Sequence, residues 1–309
     1  MKEYPMTFDE FNTRFATEEQ CRDYLYHLRW PEGFVCPKCG LFCDATQIGE
    51  QLFQCRGCRH QTSVIAGTIF QDTRKPLKTW FNAIWWVTTQ KSGASAMGLQ
   101  QILGLKSYTT AWTWMHKIRT AMVNPNRTKL AGTVEVDECY IGSEEHGGKR
   151  GRGTENKLLV VIAVELLDGK NQLGRVRMTV VDDMSKESLQ GFVKENVEQG
   201  STVITDGWSS YASIGKSGYN HVIPQRFEEP NPDNILPHVH MIISLLKRWL
   251  LGTHQGSVQK VHLQAYLDEY VFRFNRRKSA KRGLLFYRLL ESAMHVPPTT
   301  QDELLGHKK

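Results

Sequence analysis

The sequence predicts a multidomain chain of mixed α+β and α/β class: a small four-cysteine ribbon, a helical segment and a mixed-sheet domain. Three observations carry that prediction. Two C-x-x-C pairs lie near the start, Cys36 with Cys39 and Cys55 with Cys58. Apolar residues then recur at helical spacing between residues 77 and 122. From residue 132 onward, runs of alternating β-formers are separated by turn residues and one helical stretch. A chain of 309 residues can bury several separate cores. The boundaries are drawn at 1–75 for an N-terminal helix and ribbon, 76–128 for the helical segment, 129–295 for the mixed-sheet domain and 296–309 for a tail.

The ribbon comes first. Residues 7–29 have helical periodicity, with Phe11, Phe15, Cys21, Tyr24 and Leu28 as core positions and a capping box opening at Thr17. FVCPKCG (34–40) and FQCRGCRHQTS (53–63) follow, with fifteen residues between the cysteine pairs. That spacing predicts two knuckles, each presenting two thiolates to one tetrahedral zinc ion. Gly40 and Gly57 suit the tight turns such knuckles need. Cys43 reads as a loop thiol, and Cys21 and Cys139 as core residues. The zinc would be structural, because a ribbon this small cannot fold without it. A ribbon fits contacts to nucleic acid or to protein and does not choose between them.

Within PLKTWFNAIWWVTTQKSGASAMGLQQILGLKSYTTAWTWMHKIRTAM, three helices are expected at about 77–90, 94–103 and 107–122. Breaks at Ser92-Gly93 and at Gly104-Leu105-Lys106 separate them. The last two have the size and punctuation of a helix-turn-helix, although a plain three-helix bundle fits the same pattern. A groove-reading last helix would expose Ser107, Tyr108, Thr109, Thr110, Lys117 and Arg119 and bury Trp112, Met115 and Ile118. Trp80, Phe81, Trp85 and Trp86 cluster at helical spacing and read as core.

The third domain opens on GTVEVDECYIG (132–142). Alternation puts Thr133, Glu135, Asp137 and Cys139 on one face and Val134, Val136, Glu138 and Tyr140 on the other. Acids on both faces of a strand are tolerated when they are paired or bind a metal. Further strands are expected at 157–165 and 174–182, then a helix at 185–198 and a strand at 201–205. Three hairpin-compatible strands, a helix and a fourth strand are the order of an RNase H-like fold, in which carboxylates gather at neighbouring strand ends. VITDGWSSY places Asp206 at such an end, where it would equally serve as a helix cap. Asp168-Gly169 reads as a hairpin turn and Asp183 as a cap.

After these strands, residues 259–276 carry an inward stripe of Leu263, Tyr266, Tyr270 and Phe274. Asp268 and Glu269 read as solvent-facing, with Glu269 placed to pair with Arg273. The cluster Arg276, Arg277, Lys278, Lys281 and Arg282 would supply salt-dependent phosphate contacts. The loop GGKRGRGTENK, with Lys149, Arg150 and Arg152, either tracks a nucleic-acid backbone or is a solvated hairpin.

VEVDECYIG, STVITDGWSSY, LPHVHMIISLLKRWLLGTHQG and HLQAYLDEYVFRFNRRKSAKRGLLFYRLL together resemble the Merlin-like insertion-sequence transposases. In that group a zinc ribbon precedes a DDE-type, RNase H-like domain. The resemblance implies Asp137 and Asp206 as the first two acids holding a catalytic divalent metal. Members with a glutamate carry it seven residues before a helical lysine; here that lysine is Lys247 and the position holds His240. Other members carry histidine there and an asparagine two residues before the lysine, where this chain has Leu245. A variant triad of Asp137, Asp206 and His240 follows, with Lys247 two turns along the same helix face. His238 is a rival for the third place. Imidazole suits manganese better than magnesium, and His240 could also serve as a general base.

The resemblance implies a polynucleotidyl transferase that binds the terminal inverted repeats of its own element, cleaves the strand and joins it to target DNA. The partners expected are double-stranded DNA and further copies of the chain. The alternative is a transposase-derived DNA-binding protein without activity, motivated by the histidine. Composition sets outer limits: 39 Lys+Arg against 32 Asp+Glu give a net charge of +7 and a pI near 9.0, concentrated at Lys149–Lys157 and Arg273–Arg282. No run of about 18 apolar residues or signal-peptide core is present. Paired cysteines read as metal ligands in a reducing compartment, so the expected location is the cytoplasm, associated with the nucleoid.

Overall fold

The computed structural model describes residues 4–124, 126–142, 157–167, 172–225, 234–254 and 258–305. They form two compact units, one made by the chain up to Asn124 together with the segment from Ser279, the other running from Pro125 to Lys278. Among the described residues no helix is long and apolar enough to cross a membrane.

In the first unit the stretch expected as one helix over 7–29 is two, α1 (Phe8–Arg14) and α2 (Glu18–Arg29). The break is chemical. Thr17 accepts the Gln20 N–H at 3.2 Å while Gln20 takes the Thr17 N–H at 3.0 Å, a capping box that starts a new helix. The ribbon follows as a three-stranded antiparallel sheet, β1 (Thr46–Ile48), β2 (Leu52–Gln54) and β3 (Gln61–Ser63). It packs on α2 through aromatic rings: Tyr26 lies 4.9 Å from Phe53, and Trp30 4.8 Å from Phe34.

Helices α3 (Leu77–Thr89), α4 (Ala96–Leu103) and α5 (Tyr108–Thr120) lie where helical periodicity predicts them. Pro76, at the N-cap of α3, has no side-chain acceptor, and Glu18 substitutes, accepting the Leu77 and Lys78 amides at 2.8 and 2.9 Å. Gly104 ends α4 with φ +60°, the left-handed geometry that glycine adopts at least cost. Trp114 of α5 stacks on Trp80 at 3.8 Å. Helix α9 (Arg282–Ala293) belongs here too: its Phe286 sits among Phe11, Phe15, Phe81 and Trp85, 5.4–5.7 Å from each. The compact units therefore part at 278/279, whereas the sequence reading carried the mixed-sheet domain to 295.

The second unit is a five-stranded sheet in the order β6-β5-β4-β7-β8, built from β4 (Thr133–Ile141), β5 (Leu158–Leu167), β6 (Gln172–Val181), β7 (Thr202–Ile204) and β8 (Asn220–Val222). The first three strands are antiparallel neighbours, and β7 and β8 join parallel to β4. Between β6 and β7 comes α6 (Lys186–Asn196), so the predicted strand-strand-strand-helix-strand order is present. The three-residue β8 was not foreseen. Odd-numbered β4 residues Cys139 and Ile141 pack with α7 (Pro237–His254) and α8 (Lys260–Asn275) through Val239, Ile242, Leu246, Leu263 and Leu267. Even-numbered Val134 and Val136 pack with α6 through Leu189 and Phe192. The α8 stripe of Leu263, Tyr266, Tyr270 and Phe274 is buried as expected, but Glu269 is not solvent-facing. It is fully buried, its charge matched by Arg273 one turn on at 2.7 Å. A short helix α10 (Gln301–Leu304) closes the described chain.

Candidate active site

Asp137 lies in the middle of β4, on the face covered by α7. Its carboxylate is 16% exposed and its Oδ2 lies 3.0 Å from His240 Nε2. Period-two alternation along β4 and the first turns of α7 bring the two together across 103 residues of sequence. On its other nitrogen, His240 Nδ1 meets Asn234 Oδ1 at 2.5 Å. An amide oxygen only accepts, so Nδ1–H donates in that contact and Nε2 is the ring atom that faces Asp137. Burial, together with the charge of Asp206, lifts the Asp137 carboxyl above its ordinary range against the Glu138 N–H and His240.

Asp206 reaches the same end of the sheet by register. Glu135 pairs with Ile204 across the parallel β4–β7 junction, and each strand arrives at its aspartate two residues later. Asp206 is exposed and its Oδ1 accepts the Trp208 N–H at 2.9 Å, a local turn rather than the helix cap of its alternative reading, since the N-cap position of the following turn is Trp208. A short 3₁₀ turn, Ser209–Tyr211, stands where a helix was expected. Lys247 is exposed on α7, near enough for its charge to act on Cys139 of β4.

Glu138 points to the opposite face, as alternation requires, and its Oε2 accepts the Tyr211 hydroxyl at 2.9 Å. Burial and the charges of Asp137 and Asp206 push it up to about 7 against that hydrogen bond. His238, the rival third residue, instead meets Glu135 at 2.6 Å. Glu135 and Asn234 were not singled out from the sequence. Alternation places Glu135 beside Asp137, which is signal enough to have found it; nothing local marks Asn234.

In the ribbon, Cys36, Cys39, Cys55 and Cys58 are among the described residues the group of His, Cys, Asp or Glu side chains whose ligand atoms converge, all within 4.8 Å. Cys36 and Cys58 are 3.6 Å apart and Cys39 and Cys55 3.7 Å, matching the sulfur–sulfur edge of about 3.8 Å that ~2.3 Å zinc–sulfur bonds impose on a tetrahedron. The four cysteines are positioned for zinc. Cys43 lies outside the group. The backbone N–H groups of Cys58 and Gly57 hold the Cys55 thiol down at about 6 despite burial, favouring the thiolate a metal binds. Gly40 takes its left-handed turn at φ +71°, but the matching residue in the second knuckle is Arg59, at φ +60°, and not Gly57. At Gly57 a Cβ would meet the tip of the exposed Leu41 side chain at 2.6 Å, which would have to move aside.

The expected DNA contacts divide. Tyr108 and Thr109 are exposed at the start of α5 and Lys117 is half-buried, its ammonium pKa lowered by burial. Arg119, expected to reach a groove, is 2% exposed, because it falls on the inward side of α5 one residue past buried Ile118. Arg277 donates to the Gly174, Leu173 and Phe274 carbonyls, Arg276 to Phe272 O, and Lys278 to Gln172 Oε1. Arg277 and Lys278 fasten the end of α8 to β6 as well as carrying charge, whereas the Arg276 bond stays within α8. Lys149, Arg150 and Arg152, like Asp168, lie outside the described residues.

Asp137, Asp206 and His240 are not gathered within the 4.8 Å that marks the cysteine group, yet two carboxylates and an imidazole are a donor set for a divalent ion. Comparison with known proteins decides the lineage. Residues 129–275 match the ISXO2-like transposase domain, and residues 16–61 match the transposase zinc-ribbon domain. The chain belongs to the insertion-sequence transposases. This transposase is 27% identical to an uncharacterized protein in transposable element ISH50 of Halobacterium salinarum, over 91% of this chain and 98% of that protein. A solved chain of the simian T-cell lymphotropic virus intasome in complex with PP2A regulatory subunit B56 gamma aligns with 67% of the transposase and 73% of its own length. At 13% identity and a TM-score of 0.30 that likeness carries no argument. The transposase-domain match spans Asp137, Asp206, His240 and Lys247, and the zinc-ribbon match spans all four cysteines.

Proposed function

We propose that the chain is an active DDE-type transposase that cleaves the ends of its own insertion sequence and joins them to target DNA, with Asp137, Asp206 and His240 as its metal-binding residues. The observation that carries this reading is the Asp137–His240 pair at 3.0 Å inside an insertion-sequence transposase domain. A divalent cation bound there would supply Lewis-acid activation of water or of a DNA 3′-hydroxyl, and charge neutralisation at the phosphate.

The chain's own residues do the rest by positioning. Asn234 orients the His240 ring and holds its proton on Nδ1, leaving Nε2 as the donor atom. Asp206 adds a second carboxylate at the neighbouring strand end. The exposed Lys247 ammonium presents positive charge to a DNA phosphate on the α7 side of β4. No covalent enzyme intermediate is needed, which agrees with the absence of a Ser, Cys or Tyr nucleophile from the roles assigned. The imidazole favours manganese over magnesium, and an RNase H-like arrangement of the sheet accounts for two acids on neighbouring strands, Asp137 within β4 and Asp206 just past the end of β7. The ribbon and the exposed start of α5 would bind the element ends, with the chain acting as a homo-oligomer on paired ends in the cytoplasm.

The test uses zinc-loaded full-length protein, element-end DNA, and magnesium or manganese. Metal-dependent strand cleavage that disappears in Asp137→Ala and Asp206→Ala supports the reading. Normal end binding without cleavage in either metal would show instead a transposase-derived DNA-binding protein, the alternative to which the histidine at position 240 points.

A further inference from the structure

Glu135 has no part in the chemistry assigned above, yet it is one of the most buried acids of the sheet, 3% exposed. Burying a carboxylate is costly unless its oxygens are satisfied. Here they are satisfied by the first turn of α7. Oε2 accepts the backbone N–H of His238 at 3.0 Å and of Val239 at 2.8 Å, and Oε1 meets His238 Nδ1 at 2.6 Å. Pro237, the first residue of α7, has no N–H, so Glu135 takes the next two amides of the turn. A negative charge is also favoured at a helix N-terminus.

Position turns this cap into something more specific. Glu135 and Asp137 are successive side chains on one face of β4, about 7 Å apart along the strand. His238 and His240 are correspondingly separated by one residue on α7. Two rungs therefore join strand to helix: Glu135 to His238, and Asp137 to His240. The first rung is buried and made of three contacts, two of them to main chain, so it fixes both the height and the rotation of the first turn. The second rung is one contact between a largely buried carboxylate and an imidazole that is 42% exposed.

We propose that Glu135 is a positioning residue: by clamping the first turn of α7 to β4, it sets where His240 stands relative to Asp137 and hence how tightly that pair holds a divalent cation. The proposal rests on the metal-site reading above and deepens it. Glu135 touches neither substrate nor metal, and acts through the helix.

The experiment measures manganese binding to zinc-loaded full-length protein without DNA, by the EPR signal of free Mn²⁺, alongside hydrogen exchange at residues 238 and 239. Glu135→Gln keeps the shape but removes the negative charge at the helix N-terminus and leaves one acceptor oxygen, where the carboxylate has two, for the two amides and the His238 ring. Its manganese affinity should fall about 10–100-fold, the usual effect of losing a group that orients a ligand, and both amides should exchange faster. Should Glu135→Gln fail to fold, Glu135→Asp, too short to span both amides, carries the same test. Wild-type manganese affinity in the Glu135 variant, when Asp137→Ala abolishes binding, overturns the positioning role and leaves the site reading intact. Wild-type affinity in Asp137→Ala overturns the site reading, and the proposal with it.

Discussion

His240 Nε2 stands 3.0 Å from Asp137 Oδ2, tying the first turns of α7 to the middle of β4 inside the segment that matches the transposase domain. A carboxylate lifted by burial, facing an imidazole whose other nitrogen is already engaged by Asn234, is the pair on which the proposed cation site rests.

Asn234 is the most accessible test of that arrangement. Asn234→Ala removes the acceptor on Nδ1 and lets the His240 ring turn and change tautomer. Metal-dependent cleavage is expected to fall about 10–100-fold, while binding to element-end DNA stays within about twofold of wild type. Assaying both on one preparation separates the effects, and an unchanged cleavage rate would mean that the ring is held by something else.

Removing zinc should act locally. A strong chelator, or Cys55→Ser, is expected to abolish hydrogen-exchange protection in β1–β3 and weaken binding to element ends, because a ribbon of this size draws about 10–16 kcal/mol of folding free energy from its metal. Protection in β4 and β5 should be retained. Loss of protection in both regions together would show that the ribbon is needed by the whole chain.

The Glu165–Arg175 pair predicts a stability that fades in acid. Burial would raise the Glu165 carboxyl, but hydrogen bonds from Arg175 and the Ala131 N–H hold it below its ordinary value. With the folded pKa depressed, its contribution is complete above the unfolded value of about 4.3 and is lost as pH falls through the folded one. Glu165→Gln should cost about 2 kcal/mol at pH 7, discounted because Arg175 is partly exposed, and progressively less below pH ~4. Urea unfolding at pH 7 and pH 3 reads the difference.

Asp268 should behave in the opposite sense. Burial pushes its carboxyl up to about 6. A raised carboxylate contributes stability below its unfolded value of about 3.9 and loses it as pH rises through the folded value. Asp268→Asn keeps an acceptor for the Gln264 amide and removes the charge. It should be about 1–2 kcal/mol more stable than wild type at pH 8 and equal to it at pH 3.5, by thermal unfolding. A variant less stable than wild type at pH 8 would contradict this account of Asp268.

What the sequence made legible was whatever repeats locally. Cysteine spacing led directly to the four converging thiols, and period-two alternation assigned Val134, Val136 and Cys139 to their faces. Helical spacing assigned the α8 stripe. What it hid depends on contacts distant along the chain. Phe286 fills an aromatic core built mainly by residues 11–85, and nothing near it indicates that destination. Arg119 and Glu269 were read as exposed because charged residues usually are, yet packing buries both. The one-turn pairing of Glu269 with Arg273 was legible and its burial was not. The link between Glu135 and His238 crosses 103 residues, so only one half of it, an acid beside Asp137, was present in the local pattern.

The central claim is that Asp137 and His240 share a divalent cation. Anomalous diffraction from crystals of the zinc-loaded protein soaked in manganese tests it most directly, with data collected to distinguish manganese from the ribbon zinc. The account predicts a manganese peak bonded to an Asp137 carboxylate oxygen and to His240 Nε2. A manganese-soaked crystal with both side chains ordered, in direct contact and without a peak between them would contradict it.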